Sequence, residues 1–210
     1  MGGLESCSLL SLGVGSVCKG FRSVDVLVGF VTSVAIVVAL LPVEWQHILV
    51  YQRDNFRWYQ LVTSNLVHEN ISHLLLNVIG LVLIGLVARR LMSSVDFGLI
   101  LVAGFFGAVL AEHVFGQPPY MSIIVAETCG LSGALHGLFA GSMMYLAAAG
   151  DRLGSIALCG LVAKVSVEVF QGETLVSTGT VELVAIMGHF GGTVSGLAAA
   201  LIRSQTTGSN

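Results

Sequence analysis

The chain has 210 residues, of which 55% are hydrophobic and only 10% are charged, and its mean hydropathy is +0.90. A water-soluble domain of this size needs far more charge to cover its surface, so the composition excludes that class and indicates a protein whose solvent is mostly lipid. The formal net charge of −3 provides no basic surface, so we expect no nucleic-acid partner.

Six apolar stretches are long enough to cross a bilayer as helices. They lie at residues 24–42, 71–88, 95–115, 128–149, 153–170 and 181–202. The sequence has none of the short alternating segments that a membrane β-barrel requires. It therefore predicts an all-α membrane protein, in which a bundle of six transmembrane helices at 24–203 lies between a cytoplasmic N-terminal tail at 1–23 and a short C-terminal tail at 204–210.

Basic residues predict which end of each helix faces the cytoplasm, because they are enriched on that side of a membrane. If the N-terminus is cytoplasmic, six basic residues flank the spans on that side: Lys19, Arg22, Arg89, Arg90, Arg152 and Arg203. The outer side then holds Arg53 and Arg57, both in one long loop. We therefore expect both termini in the cytoplasm and the start of the fourth span on the outer side.

The second span begins with two polar residues on one helix face, His73 and Asn77, which are four residues apart. Polar side chains in a membrane span usually face the interior of the bundle. An amide and an imidazole both supply N–H donors, which suits the stabilisation of an oxyanion. The alternative is a hydrogen bond between helices that only holds the bundle together.

The segment HENISH at 68–73 also suggests a zinc site, but its spacing argues against one. A zinc protease uses HExxH, whose histidines lie four residues apart on one helix face. His68 and His73 are five residues apart, which would turn them about 140° from each other on a helix. We expect no metal ion and no other cofactor.

The fourth and sixth spans carry glycine ladders, which allow two helix backbones to approach closely. Their members recur at every fourth residue: Gly133, Gly137 and Gly141, then Gly188, Gly192 and Gly196. Ser132 and His189 each lie beside the first glycine of one ladder. A hydroxyl and an imidazole on two closely packed helices are what a serine nucleophile and its base would need, so we expect an intramembrane serine protease. His136, one turn after Ser132, is a second candidate for the base, and the ladders favour His189.

The fifth span contains Lys164 and Glu168, which are four residues apart and can neutralise each other. We interpret them as a structural ion pair, and the alternative is a proton path. A rival function from another class is a non-catalytic membrane protein, either a small transporter or a binder of transmembrane anchors. A transporter often contains internal repeats, and we find no convincing repeat in this sequence.

The order of three motifs resembles the rhomboid family of intramembrane serine proteases. The chain has HLLLN in the second span, GLSG at the start of the fourth and GHFGGTVSG in the sixth. These motifs match the family pattern of HxxxN, GxSG and HxxGxxxG on a six-helix core, and the similarity covers roughly residues 24–203. One departure lies in the first loop, where Tyr59 and Gln60 replace the Trp-Arg pair of many rhomboids.

The resemblance implies a role for each matching residue. Ser132 would be the nucleophile and His189 the general base, in a dyad without a carboxylate. His73, Asn77 and the backbone N–H of Ser132 would form the oxyanion hole. The residues that would support the site are His68, His136, Gly133, Gly192 and Gly196.

The segments GLSGALHG and KVSVEVFQG look most like the rhombosortase branch of the family. That branch is associated with trimming proteins that end in a GlyGly-containing motif, a short transmembrane anchor and basic residues. The resemblance therefore implies an endopeptidase of the bacterial inner membrane whose active site opens to the periplasm. Its substrate in the lipid bilayer would be a membrane-anchored protein with a C-terminal transmembrane segment.

Overall fold

The computed structural model describes residues 11–116, 127–172 and 185–207. These residues form a mostly helical protein with one short pair of strands. The elements are α1 (Ser11–Ala39), α2 (Val43–Leu49), β1 (Tyr51–Gln52), α3 (Gln60–Thr63), a 3-10 helix (Ser64–Leu66), α4 (Ile71–Ala88), α5 (Ser94–Phe115), β2 (Glu127–Thr128), α6 (Ser132–Ala148), α7 (Arg152–Gln171) and α8 (Ile186–Thr207).

Each of the six predicted spans has a helix in its place, although some ends differ. The helix α1 begins at Ser11, inside the predicted N-terminal tail, and α8 continues to Thr207, inside the predicted C-terminal tail. The fourth helix begins at Ser132 and not at residue 128, because Thr128 pairs with Tyr51 in the strand ladder. Residues 181–184 of the predicted sixth span lie outside the described residues.

In the part of the chain that the structure describes, three helices are long and apolar enough to cross a membrane by themselves: Ile71–Ala88, Ser94–Phe115 and Arg152–Gln171. Within the described residues, the apolar part of α1 covers Ser23–Ala39, and α6 has 17 residues, so both are shorter. The molecule is therefore an integral membrane protein with a helical bundle, and the count of six membrane-spanning helices stays a prediction.

The backbones of α6 and α8 come into contact through their glycines. A Cβ atom added to Gly133 would lie 2.9 Å from the carbonyl oxygen of Gly188, and one added to Gly137 would lie 2.6 Å from that of Gly192. A Cβ atom on Gly192 would overlap the Gly133 carbonyl. A side chain at these positions would therefore push the two helices apart.

The opposite side of α8 is held by α5. A Cβ atom added to Gly107 of α5 would lie 2.6 Å from the carbonyl oxygen of Gly191. The buried carboxylate of Glu112, also on α5, accepts a hydrogen bond of 3.3 Å from the backbone N–H of Gly188. First-turn N–H groups have no partner within their own helix, so this carboxylate fixes the beginning of α8.

The first loop is attached to the end of α5 by Arg53. Its guanidinium donates to the carbonyl oxygens of Glu112, His113 and Gly116 at 2.6, 2.8 and 2.9 Å, and so satisfies acceptors that the helix end leaves open. Gln60, one of the two residues that depart from the family pattern, is buried, and its side chain accepts from the backbone N–H of Arg57 at 2.9 Å. The loop therefore has its own polar anchors.

A stability prediction follows from the glycine contacts. We expect Gly192→Ala to lower the free energy of unfolding by about 1–3 kcal/mol, because the new methyl group would overlap the α6 backbone. Gly160→Ala is the matched control, since a Cβ atom at this helical glycine has no neighbour within 4 Å. Thermal unfolding of both variants in detergent micelles measures the difference, and equal midpoints would contradict the close helix contact.

Candidate active site

Ser132 is the first residue of α6 and follows a backbone turn that only a glycine makes without strain. Gly130 has a φ of 105°, and its N–H donates to the carbonyl oxygen of Ser64 at 3.0 Å. A Cβ atom at Gly130 would lie 2.5 Å from the His73 ring. This turn therefore brings the start of α6 against the polar end of α4.

His189 lies in the first turn of α8 and is buried. Its Nε2 atom is 3.1 Å from the Oγ atom of Ser132, which is hydrogen-bond distance. Gly133 comes directly after Ser132, and Gly192 comes three residues after His189. Both glycines permit this approach because they let the two backbones touch. The structure thus brings the predicted nucleophile and the predicted base together.

A carboxylate lies on the far side of the His189 ring, where the family resemblance implies none. Oε2 of Glu168, on α7, is 3.3 Å from Nδ1 of His189. The Glu168 side chain is only 1% exposed, whereas that of Lys164, one turn earlier, is 28% exposed. Their spacing predicts only a pair with each other, because nothing in it indicates which helix faces them.

Lys164 connects Glu168 to a second imidazole. Its Nζ atom lies 2.8 Å from both carboxylate oxygens of Glu168 and 3.0 Å from Nε2 of His136. The His136 ring stacks on the His189 ring, with 4.0 Å between centroids and 16° between planes. Three helices therefore meet in one polar network.

His136 is poorly placed to act as the base. Its Nδ1 atom is 2.7 Å from the backbone carbonyl oxygen of Ser132, so this nitrogen must carry a proton and donate it. Its Nε2 atom then accepts from the ammonium group of Lys164. Both ring nitrogens are engaged elsewhere, which leaves the Ser132 hydroxyl to His189.

His73 and Asn77 lie buried on the face of α4 that meets the turn before Ser132. Nδ1 of His73 and Nδ2 of Asn77 have no hydrogen-bond partner among the described residues. Buried donors without a partner are costly, so such atoms often await a ligand or a reacting group. The nitrogen atoms of this pair that lie nearest the turn at Gly130 are Nε2 of His73 and Nδ2 of Asn77, so these two nitrogens are the ones that can donate to an oxygen bound beside Ser132.

His68 packs edge-on against His73, with 5.1 Å between ring centroids. Burial, together with the neighbouring His73, lowers the pKa of His68 to about 4, so this ring is neutral at ordinary pH. The helix α4 begins only at Ile71, after the cap at Asn70. His68 and His73 therefore do not lie on one helix, so the 140° angle expected between them does not apply. His68 instead supports the ring of His73.

A group with metal-ligand chemistry does occur in the described residues, away from the HENISH segment. Ligand atoms of His136, Glu168 and His189 lie within 4.8 Å of one another. The ammonium group of Lys164 already contacts two of these residues, and it takes the place that a cation would need. The arrangement therefore fits a protonated amine better than a metal ion.

Sequence patterns pointed to the residues on α4, α6 and α8 but missed the contribution of α7. A charged pair within an apolar span was the available signal, because such groups usually face a bundle interior. Taken together, a hydroxyl, an imidazole and the side-chain nitrogens of His73 and Asn77 are the parts needed for nucleophilic attack on a carbonyl group.

Comparison with known protein families matches residues 55–206 to the rhomboid domain. The matched range covers most of the chain and contains every side chain of this site. No curated protein matches the chain significantly.

Proposed function

This chain belongs to the rhomboid family of intramembrane serine proteases, and we propose that it cuts membrane-anchored proteins with Ser132 as nucleophile and His189 as general base. The observation that carries this proposal is the 3.1 Å distance between the Ser132 hydroxyl and Nε2 of His189. The two groups come from different helices, and glycines hold those helices close together. Such an arrangement has no evident purpose in a bundle that only binds or transports.

In the first step, Nε2 of His189 takes the proton of the Ser132 hydroxyl while the oxygen attacks the substrate carbonyl. The carbonyl oxygen gains negative charge, which donors from His73, Asn77 and the backbone N–H of Ser132 stabilise. One oxyanion donor typically contributes a factor of about 10²–10³ in rate. The Nδ2 group of Asn77, which is buried without a hydrogen-bond partner among the described residues, supports this role.

In the second step, His189 gives its proton to the leaving amine as the peptide bond breaks. Water then attacks the acyl-enzyme, again with His189 as base, and restores the Ser132 hydroxyl. This water has to enter from the aqueous phase. Ser132 begins its helix, so it lies near one end of the bundle and not at its middle.

The substrate that suits this site is a protein with a C-terminal transmembrane segment preceded by small residues, such as a GlyGly-containing motif. Ser132 and His189 lie beside the glycines through which α6 and α8 touch, and such close-packed helices favour a substrate without bulky side chains beside the scissile bond. The likeness to the rhombosortase branch supports the same substrate class. With both termini in the cytoplasm of a bacterium, the site would open to the periplasm.

Labelling with a serine-directed fluorophosphonate distinguishes a protease from a protein that only binds transmembrane anchors. We expect the purified protein in micelles to gain one covalent label, on the peptide that contains Ser132, because the reagent requires an activated hydroxyl. Heat-denatured protein is the control and should stay unlabelled. An intact protein that takes up no label at Ser132 would contradict the proposed function.

A further inference from the structure

We infer that Glu168 and Lys164 of α7 are positioning residues, which determine the nitrogen that carries the proton in each of the two stacked imidazoles of the active site. The inference rests on the proposed function, because it concerns how His189 is prepared to act as a base. It replaces the expected dyad with a chain of three groups, from Ser132 through His189 to Glu168. Lys164 fixes the end of that chain.

Glu168 determines which nitrogen of His189 carries the proton. A carboxylate only accepts hydrogen bonds, so the 3.3 Å contact with Glu168 requires the proton of the ring to be on Nδ1. The lone pair then lies on Nε2, which is the atom that faces the Ser132 hydroxyl. Without a partner at Nδ1, the ring would be free to carry its proton on Nε2, and it could not accept one from serine.

Lys164 acts on both of its neighbours, Glu168 and His136. It donates to both oxygens of Glu168, and this keeps the carboxylate charged and fixed in direction. It also donates to Nε2 of His136, whose Nδ1 donates to the Ser132 carbonyl. His136 is therefore held as a neutral ring.

The same groups also surround the positive charge that forms on His189 during catalysis. When His189 accepts the serine proton it becomes an imidazolium between Glu168 and the stacked ring of His136. The carboxylate attracts this charge, and a neutral stacked ring does not repel it. Lys164 therefore supports both effects. Its contact with Glu168 keeps the carboxylate charged, and its contact with Nε2 of His136 keeps that ring neutral.

The test uses Glu168→Gln, in which the cation of Lys164 would attract the amide oxygen. The amide NH₂ group would then face Nδ1 of His189 and move the ring proton to Nε2. We expect kcat and the rate of fluorophosphonate labelling to fall by about 10²–10⁴-fold, with KM nearly unchanged. Ser166→Ala is the control on α7, because its side chain is exposed and outside the network.

The double variant Lys164→Met with Glu168→Gln separates positioning from a general structural effect. Without the cation, the amide can turn its oxygen toward Nδ1, so we expect this variant to be at least about tenfold more active than Glu168→Gln alone, yet about tenfold below wild type. A structural ion pair would give the opposite order or no difference. If Glu168→Gln does not fold, the double variant carries the test, since it leaves no single buried charge.

The outcomes distinguish this inference from the proposed function. If wild-type protein takes up no label at Ser132, the proposed function has failed. If wild type is labelled and a folded Glu168→Gln, or the double variant in its place, reacts at the wild-type rate, only the role of Glu168 is overturned. If the double variant is no more active than a folded Glu168→Gln, the role of Lys164 is overturned.

Discussion

Replacement of Ser132 by alanine is expected to abolish cleavage of a membrane-anchored reporter, with a loss on the order of 10⁴–10⁶ in kcat. The change removes the Oγ atom, which is the only atom proposed to form the acyl-enzyme. His189 then has no hydroxyl to activate, and the donors have no serine-derived oxyanion to stabilise. Little change in stability should accompany it, because a Ser→Ala change creates no large cavity. Gel detection of the cleaved reporter in proteoliposomes measures the effect.

Ser142→Ala is the matched control on the same helix. Ser142 is also buried, but its hydroxyl donates to the Leu138 carbonyl at 2.7 Å and has no part in the site. We expect this variant to cleave the reporter at nearly the wild-type rate. If Ser132→Ala kept its activity under conditions in which Ser142→Ala is active, the nucleophile would have to be another residue.

The second large effect is expected for His189→Ala, which removes the base and should reduce kcat on the order of 10⁴–10⁶-fold. His136→Ala is the informative comparison, since that ring lies one turn after the serine on the same helix. Its loss removes a stacked partner, which is worth about 1 kcal/mol, so we expect a decrease of about fivefold. The two variants are compared by reporter cleavage and by fluorophosphonate labelling.

The reverse pattern, in which His189→Ala is active and His136→Ala is inactive, would assign the base to α6. The hydrogen bonds argue against that pattern, because both nitrogens of His136 already have partners. His189 alone directs a ring nitrogen toward the Ser132 hydroxyl among the described imidazoles. A separate helix can therefore supply the base.

The bundle and the central pair of this site could be anticipated from sequence, and the reason is periodicity. Long apolar stretches indicate helices, and a glycine at every fourth residue indicates which faces touch. Ser132 and His189 lie beside those glycines, so their proximity follows from the same pattern. Nothing in a linear pattern measures the rotation of a helix that lacks such a stripe.

Glu168 was missed for that reason. It is four residues from Lys164, a spacing that fully explains an ion pair within one helix. Only the rotation of α7 shows that the same carboxylate also reaches an imidazole on α8. Glu112 is a similar case, since a polar residue near a helix end is unremarkable in sequence, yet its carboxylate caps another helix.

The hydrogen bonds of Arg53 to the end of α5 link the first loop to the base. Arg53 holds the segment that contains Glu112, and Glu112 holds the N–H group directly before His189. Two consecutive polar contacts therefore connect a guanidinium in the loop to the first turn of the helix that carries the imidazole.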